Sequence, residues 1–368
     1  MAKQKMKLRN IYYQITCLFV IALFLIVTIQ KLNSKSYTNP VAGSCTIFSA
    51  SVGNKVFYGN NEDFNKSKTY LWTNSSTDEN YGCIYLGFKD YSHQGGMNEK
   101  GLCFDANALP KSTIKLHLEL KSPPNYEAPF DEYMMWLPVL ILRKAATVKE
   151  AIEIAKKYQR KNWYPTDGKV KYQLNFADAT GDAVIISVDK YGELAFTKKG
   201  KGKSYLLSTN FNRANPENAL EYPCKRYNRA KEMLEGIKNE GDLTADYFKA
   251  ILESVHQKGI FNRTLYSNIF DLKNGIIYLY HWHQFDEVVV LNVEQELAKE
   301  DYMVRIKDLF SPKTVNNASN GFVKSIIVMC LKIIVSTLII VGLIHLIKKK
   351  KLNSVGNEDL PKNAPNKN

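Results

Sequence analysis

Paired cysteines are missing from this 368-residue chain: its six stand apart, at Cys17, Cys45, Cys83, Cys103, Cys224 and Cys330, with no Cys-x-x-Cys among them. That excludes a disulfide scaffold and the sulfur spacing of a structural zinc site. Histidine is scarce as well. His281 and His283 would share one face of a strand, but no third ligand accompanies them, so a metal centre is not expected. A phosphate loop is also lacking. Gly200-Lys201-Gly202-Lys203-Ser204 imitates its end without the first glycine and leads into a strand, so a hairpin turn is expected there. No cofactor is implied.

Acidic residues are absent from positions 1–35, which carry six Lys and Arg, and positions 323–368 hold eight Lys against Glu358 and Asp359. Of the net charge of +14, only about +2 is left to the middle of the chain. A nucleic-acid footprint needs a basic face on the folded domain itself, so this class is set aside. The flanking charge belongs instead to two apolar runs. Residues 11–30 follow Lys3, Lys5, Lys7 and Arg9, and residues 325–347 precede Lys348-Lys349-Lys350-Lys351. Each is close to the ~20 residues that span a bilayer. Basic flanks put both termini in the cytoplasm and the middle outside, at the cell membrane. The first run exceeds the ~7–15-residue core of a signal peptide and no small-residue cleavage site directly follows it, which favours an anchor. Lys332, inside the second run, can snorkel to the surface.

The expected organisation is therefore a basic segment (1–10), an anchor or signal segment (11–30), a polar linker or propeptide (31–44), an outer domain (45–310), a linker (311–322), a transmembrane helix (323–347) and a basic tail (348–368), disordered from Leu352. The bilayer is one expected partner; oligomeric state is not legible. In the outer domain, Thr46–Val52, Gly53-Asn54 and Lys55–Gly59 read as a hairpin. Strands are expected at 83–88, 101–107, 171–177, 183–188, 193–198, 204–211, 264–272, 276–282 and 288–293. Helices are expected at 131–146, behind the capping box Thr147-Val148-Lys149-Glu150, at 226–238 and at 244–256. Blocks of strands alternating with blocks of helices give an α+β domain with antiparallel sheets covered by helices.

Six segments then occur in one order: Cys45-Thr46; Gly59-Asn60-Asn61-Glu62-Asp63-Phe64; Gly96-Met97-Asn98-Glu99-Lys100-Gly101-Leu102; Ser208-Thr209-Asn210; Lys225-Arg226-Tyr227-Asn228-Arg229; and Arg263-Thr264-Leu265-Tyr266-Ser267. Together they resemble the choloylglycine hydrolase and penicillin V acylase group, with the related isopenicillin N acyltransferases, all N-terminal-nucleophile hydrolases. The resemblance covers about 45–295. It implies a four-layer αββα sandwich and the cleavage or transfer of a linear amide in a small N-acyl compound. Asn60 stands where the bile-salt and penicillin V enzymes commonly carry Arg, which leans toward the acyltransferase branch.

Cys45 is the candidate nucleophile. As residue 1 of a cleaved chain it would carry its own base, an α-amine with a pKa of about 7.7–8.0. Within an intact chain it has only an amide nitrogen, so cleavage before Cys45 is required. The plain alternative is a small buried hydrophobe. The resemblance implies that Asp63 holds the new amine, that Asn210 donates to the oxyanion, and that Arg226 stands near the sulfur, with Arg229 as its alternative. Asn107 is a second candidate donor, one residue short of the family position, and a one-residue slip on a strand reverses the face. Tyr70, Trp72, Tyr126 and Phe130 suggest an apolar acyl pocket in loops 65–82 and 108–130. One disulfide among Cys83, Cys103 and Cys224 stays open. An inactive domain that only binds amides at the membrane is the competing class.

Overall fold

The computed structural model describes residues 45–355, apart from 66–67, 89–91, 116, 118, 122–135, 159–168, 217–223 and 261. The segments expected at 11–30 and 31–44, and the pocket candidates Tyr126 and Phe130, lie outside the described residues. Val41–Phe322 form one compact unit, and the chain from Val323 belongs to a second.

Strand β1 (Thr46–Val52) turns back through Gly53, at φ 56°, into β2 (Lys55–Phe64). Three antiparallel strands follow, β3 (Thr69–Asn74), β4 (Cys83–Phe88) and β5 (Ser92–Asn98), then the long β6 (Cys103–Thr113). After α1 (Trp136–Lys144) and α2 (Val148–Lys157) come β7 (Lys169–Ala177), β8 (Ala183–Val188), β9 (Leu194–Lys198) and β10 (Tyr205–Ser208). Helices α3 (Lys225–Glu235) and α4 (Ala245–Val255) precede β11 (Arg263–Asp271), β12 (Ile276–His281) and β13 (Val289–Asn292). The short helix α5 (Val293–Leu297), β14 (Met303–Arg305) and α6 (Pro312–Val355) close the chain.

The strands form two antiparallel sheets: β10-β1-β2-β11-β12-β13, and β14-β3-β4-β5-β6-β7-β8-β9. Side chains alternate across each sheet, which sorts the core into strata. Ile47, Tyr58 and Phe270 of the first sheet meet Leu86, Met97 and Ile185 of the second between them. Phe48, Phe57 and Ile269, one position out of step, pack under α3 and α4. Phe104, Phe176 and Ile186 pack under α1 and α2. The order is thus helix, sheet, sheet, helix, as expected. The capping box at Thr147 is present in both its bonds.

Several expectations are corrected. Gly200–Lys203 does form a turn, with Lys203 N–H donating to the Gly200 carbonyl at 2.9 Å, but β9 and β10 lie in different sheets, so it joins the sheets and is no hairpin. The loop expected over 65–82 contains β3, in which Trp72 is buried against Tyr85 as core packing. Cys83, Cys103 and Cys224 are all free. Trp282, at φ 52°, ends the strand between His281 and His283, so they share no strand face: one packs on Phe310, the other stacks on His256. The linker expected at 311–322 is helical. Ser311 caps it, and Phe322 packs against Trp282 with the Arg263 guanidinium 4.0 Å from the Phe322 ring centre.

Candidate active site

Cys45 immediately precedes β1 and faces the space between the sheets. It is 2% exposed. The hairpin places β2 beside it: Thr46 pairs with Asn61, and alternation then sends Tyr58, Asn60 and Glu62 inward with Cys45, and Asn61 and Asp63 toward the helices. On the inner side the Cys45 thiol donates to Glu62 Oε2 at 3.4 Å. Burial, seconded by the charges of Glu62, Asp63 and Asp105, pushes that thiol well above its ordinary value.

The backbone carbonyl of Cys45 is gripped from two sides. Arg226, from the first turn of α3, donates through Nη1 at 2.8 Å, and Asn107 of β6 donates through Nδ2 at 3.3 Å. Arg226 Nη1 also reaches Thr46 Oγ1 at 2.7 Å, and Nη2 reaches Asn210 Oδ1 at 2.8 Å. Asn210 in turn donates to the Ala108 carbonyl at 2.9 Å. One arginine thus ties the cysteine, β1 and the segment after β10 together. Arg229, the alternative, points away and pairs with Glu232 on the exposed helix face.

Asp63 is fully buried on the helix side. Thr264 donates to its Oδ1 at 2.5 Å, Gln257 to its Oδ2 at 2.7 Å, and Arg226 Nη1 lies 3.9 Å from Oδ2. A shift in the β2–β11 register between Thr264 and Tyr266 brings Thr264 opposite Asp63 and Tyr266 opposite Glu62. Burial lifts the Asp63 carboxyl to about 6, while Arg226 and the two donors pull against that rise. Asn107 shares the inner face of β6 with Cys103 and Asp105, and Ser208, Asn175 and Gln173 all donate to its Oδ1. The face reversal feared from the one-residue slip does not occur.

The structure therefore brings together Cys45, Asp63, Asn107, Asn210 and Arg226. Two carboxyls were missed. Glu62 is lifted by burial to about 8, with Asp63 adding to the rise and hydrogen bonds from Cys45 and Asn60 opposing it. Asp105 is raised by burial and by Glu62, and accepts from Asn60 Nδ2 at 2.7 Å. The available signal was the polar run at alternate positions of β2, together with Gly95, the register partner of Asp105. A Cβ at Gly95 would collide with the Asp105 carboxylate.

Two facing antiparallel sheets thus lie between helix layers, with a buried cysteine leading an inner strand. No family model matches the sequence, and no curated protein matches it. Solved structures do. Penicillin V acylase from Agrobacterium tumefaciens superposes with a TM-score of 0.50 at 18% identity, over 70% of this chain and 89% of its own. A variant of conjugated bile acid hydrolase from Clostridium perfringens superposes with a TM-score of 0.50 at 17% identity, over 71% of this chain and 96% of its own. At such identities the shared property is the fold.

Proposed function

We propose that this protein is a membrane-anchored, extracytoplasmic amidohydrolase that cleaves a linear amide of a small N-acyl compound through a thioester on Cys45. The observation that carries this reading is the network at Cys45: Asn107 and Arg226 hold its carbonyl, and Arg226 links it to Asn210 and Asp63. After cleavage of the Ser44–Cys45 bond, the free amine takes the thiol proton and the sulfur attacks the substrate carbonyl. Asp63, raised by burial but partnered by Arg226, holds that amine. Asn210 Nδ2 donates to the Ala108 carbonyl in this state. On substrate binding it turns a donor to the oxyanion. The amine then protonates the leaving group, and water hydrolyses the thioester.

An acyltransferase uses the same residues, with an acceptor amine replacing water; the neutral Asn60 is what favours that reading. Assays with penicillin V and a conjugated bile acid, each with and without an added amine, distinguish the two by product. Cleavage of either compound by the mature protein but not by Cys45→Ala supports the amidase. A mature, folded protein whose Cys45 resists thiol reagents contradicts it.

The membrane part of the proposal draws on α6. Among the described residues, one helix is long and apolar enough to cross a bilayer, Pro312–Ile344. Many of its apolar side chains are exposed, Leu338 to 65%. With the run at 11–30, this would hold the domain at the outer surface, and cleavage before Cys45 would leave α6 as its tether.

A further inference from the structure

Before the Ser44–Cys45 bond is cut, the nitrogen of Cys45 is an amide and cannot serve as a base. Cleavage by the chain itself then needs another proton acceptor at the sulfur. The Asp63 carboxylate accepts from Gln257 and Thr264 on the helix side of β2, away from the sulfur. Asn107, Asn210 and Arg226 have no basic site. Among the described residues, the carboxylate in hydrogen-bond contact with Cys45 Sγ is Glu62, and the thiol is the donor in that contact. Asn60 stands beside it and, through Nδ2, holds Asp105 in the same buried stratum.

We propose that Glu62 is the general base of self-cleavage, a role distinct from the amidase cycle and resting on the reading of Cys45 as the nucleophile. The Glu62 carboxylate takes the Cys45 thiol proton, and the sulfur electron pair forms a bond to the Ser44 carbonyl carbon. The Ser44–Cys45 C–N bond then breaks as Glu62 returns that proton to the leaving nitrogen. The products are a thioester of Ser44 on Cys45 and a free α-amine. Water attacks the thioester, leaving the Ser44 carboxylate and a restored thiol. Once the amine exists, Glu62 is no longer needed as the base.

The groups facing this carboxyl define its pH response. They are Cys45 ahead of β1, Asn60 and Asp63 on β2, Asp105 on β6, Tyr172 on β7 and Tyr266 on β11. Burial raises the Glu62 carboxyl to about 8, so the carboxylate form grows as pH rises through the neutral range. Self-cleavage therefore accelerates with rising pH and levels off once Glu62 is ionised.

The test follows the full-length protein by intact mass at pH 6, 7, 8 and 9, beside Glu62→Gln and Glu62→Asp. A parallel set carries a site-specific protease sequence ending at position 44, so that added protease frees Cys45. The expected results are a pH-dependent wild-type cleavage, a loss of at least about 100-fold in Glu62→Gln, and slower cleavage with the same pH slope in Glu62→Asp. After external cutting, Glu62→Gln recovers amide hydrolysis to at least a tenth of the cut wild type. Self-cleavage of Glu62→Gln at the wild-type rate and slope overturns the proposal, as does a wild type that never cuts itself. Failure of Glu62→Gln to recover after cutting, while folded by its thermal transition, overturns the assignment to the cleavage step. A cut wild type that hydrolyses no amide overturns the amidase reading alone and leaves the cleavage result standing.

Discussion

At Cys45 the sulfur and the backbone carbonyl have separate partners: Glu62 holds the thiol, while Arg226 and Asn107 hold the carbonyl. Each contact predicts a different loss. Asn210→Ala removes an oxyanion donor and is expected to lower kcat about 10²–10³-fold, measured on the mature protein. Arg226→Ala releases the Cys45 carbonyl, Thr46 and Asn210 together, and is expected to cost both activity and several degrees of unfolding temperature. Arg229→Ala, on the exposed face of the same helix, is expected to change neither. For Glu62 the sign is opposite. Its carboxyl is lifted from 4.5 to about 8, so the folded state binds the extra proton, and stability present below pH 4.5 is lost as pH rises through 8. Glu62→Gln is therefore expected to gain unfolding temperature relative to wild type at pH 8.5 but not at pH 4.5, the difference reaching a few degrees by scanning calorimetry. Cys45, Asp63, Asn210 and Arg226 stand out as candidates in the sequence because each sits in a motif of fixed order. Glu62 was overlooked beside Asp63 because neighbours in a strand face opposite layers, and Asp105 because its partner Asn60 belongs to the other sheet.

At the scale of elements, what sequence revealed was what local chemistry determines. The hairpin at Gly53-Asn54, the capping box at Thr147 and the strand Ala183–Val188 each carry their own signal and fall where expected. Thr147→Ala removes the donor bond of Glu150 and half of the box, and is expected to cost about 1 kcal/mol in urea unfolding. Other elements depend on distant partners. Strand β14 is three residues long and exists by pairing with β3, about 230 positions earlier, so no local pattern marks it. The start of α6, expected as a linker, is helical. It is ordered by the Ser311 cap and by Phe322 against Trp282 and Arg263, contacts made only once β11 and β12 are in place.

Across the whole molecule, the inter-sheet layer is apolar over most of its area and polar around Cys45, where Glu62, Asp105, Asn107 and Asn175 are all nearly or fully buried. Burying so many polar groups is costly unless they are hydrogen-bonded, as these are, and perturbed titratable groups of this kind cluster at functional sites. The proposed tether adds a prediction at this scale: after cleavage the domain is expected to stay with membranes through alkaline carbonate extraction, and a chain ending before Ser325 is expected to be released. Beneath each of these outcomes is one bond. Intact mass and N-terminal sequencing of the purified protein, with Cys45→Ala alongside, test it most directly. The account predicts a mature chain beginning at Cys45 and an uncut Cys45→Ala; an active, folded protein that retains residues 31–44 would contradict it.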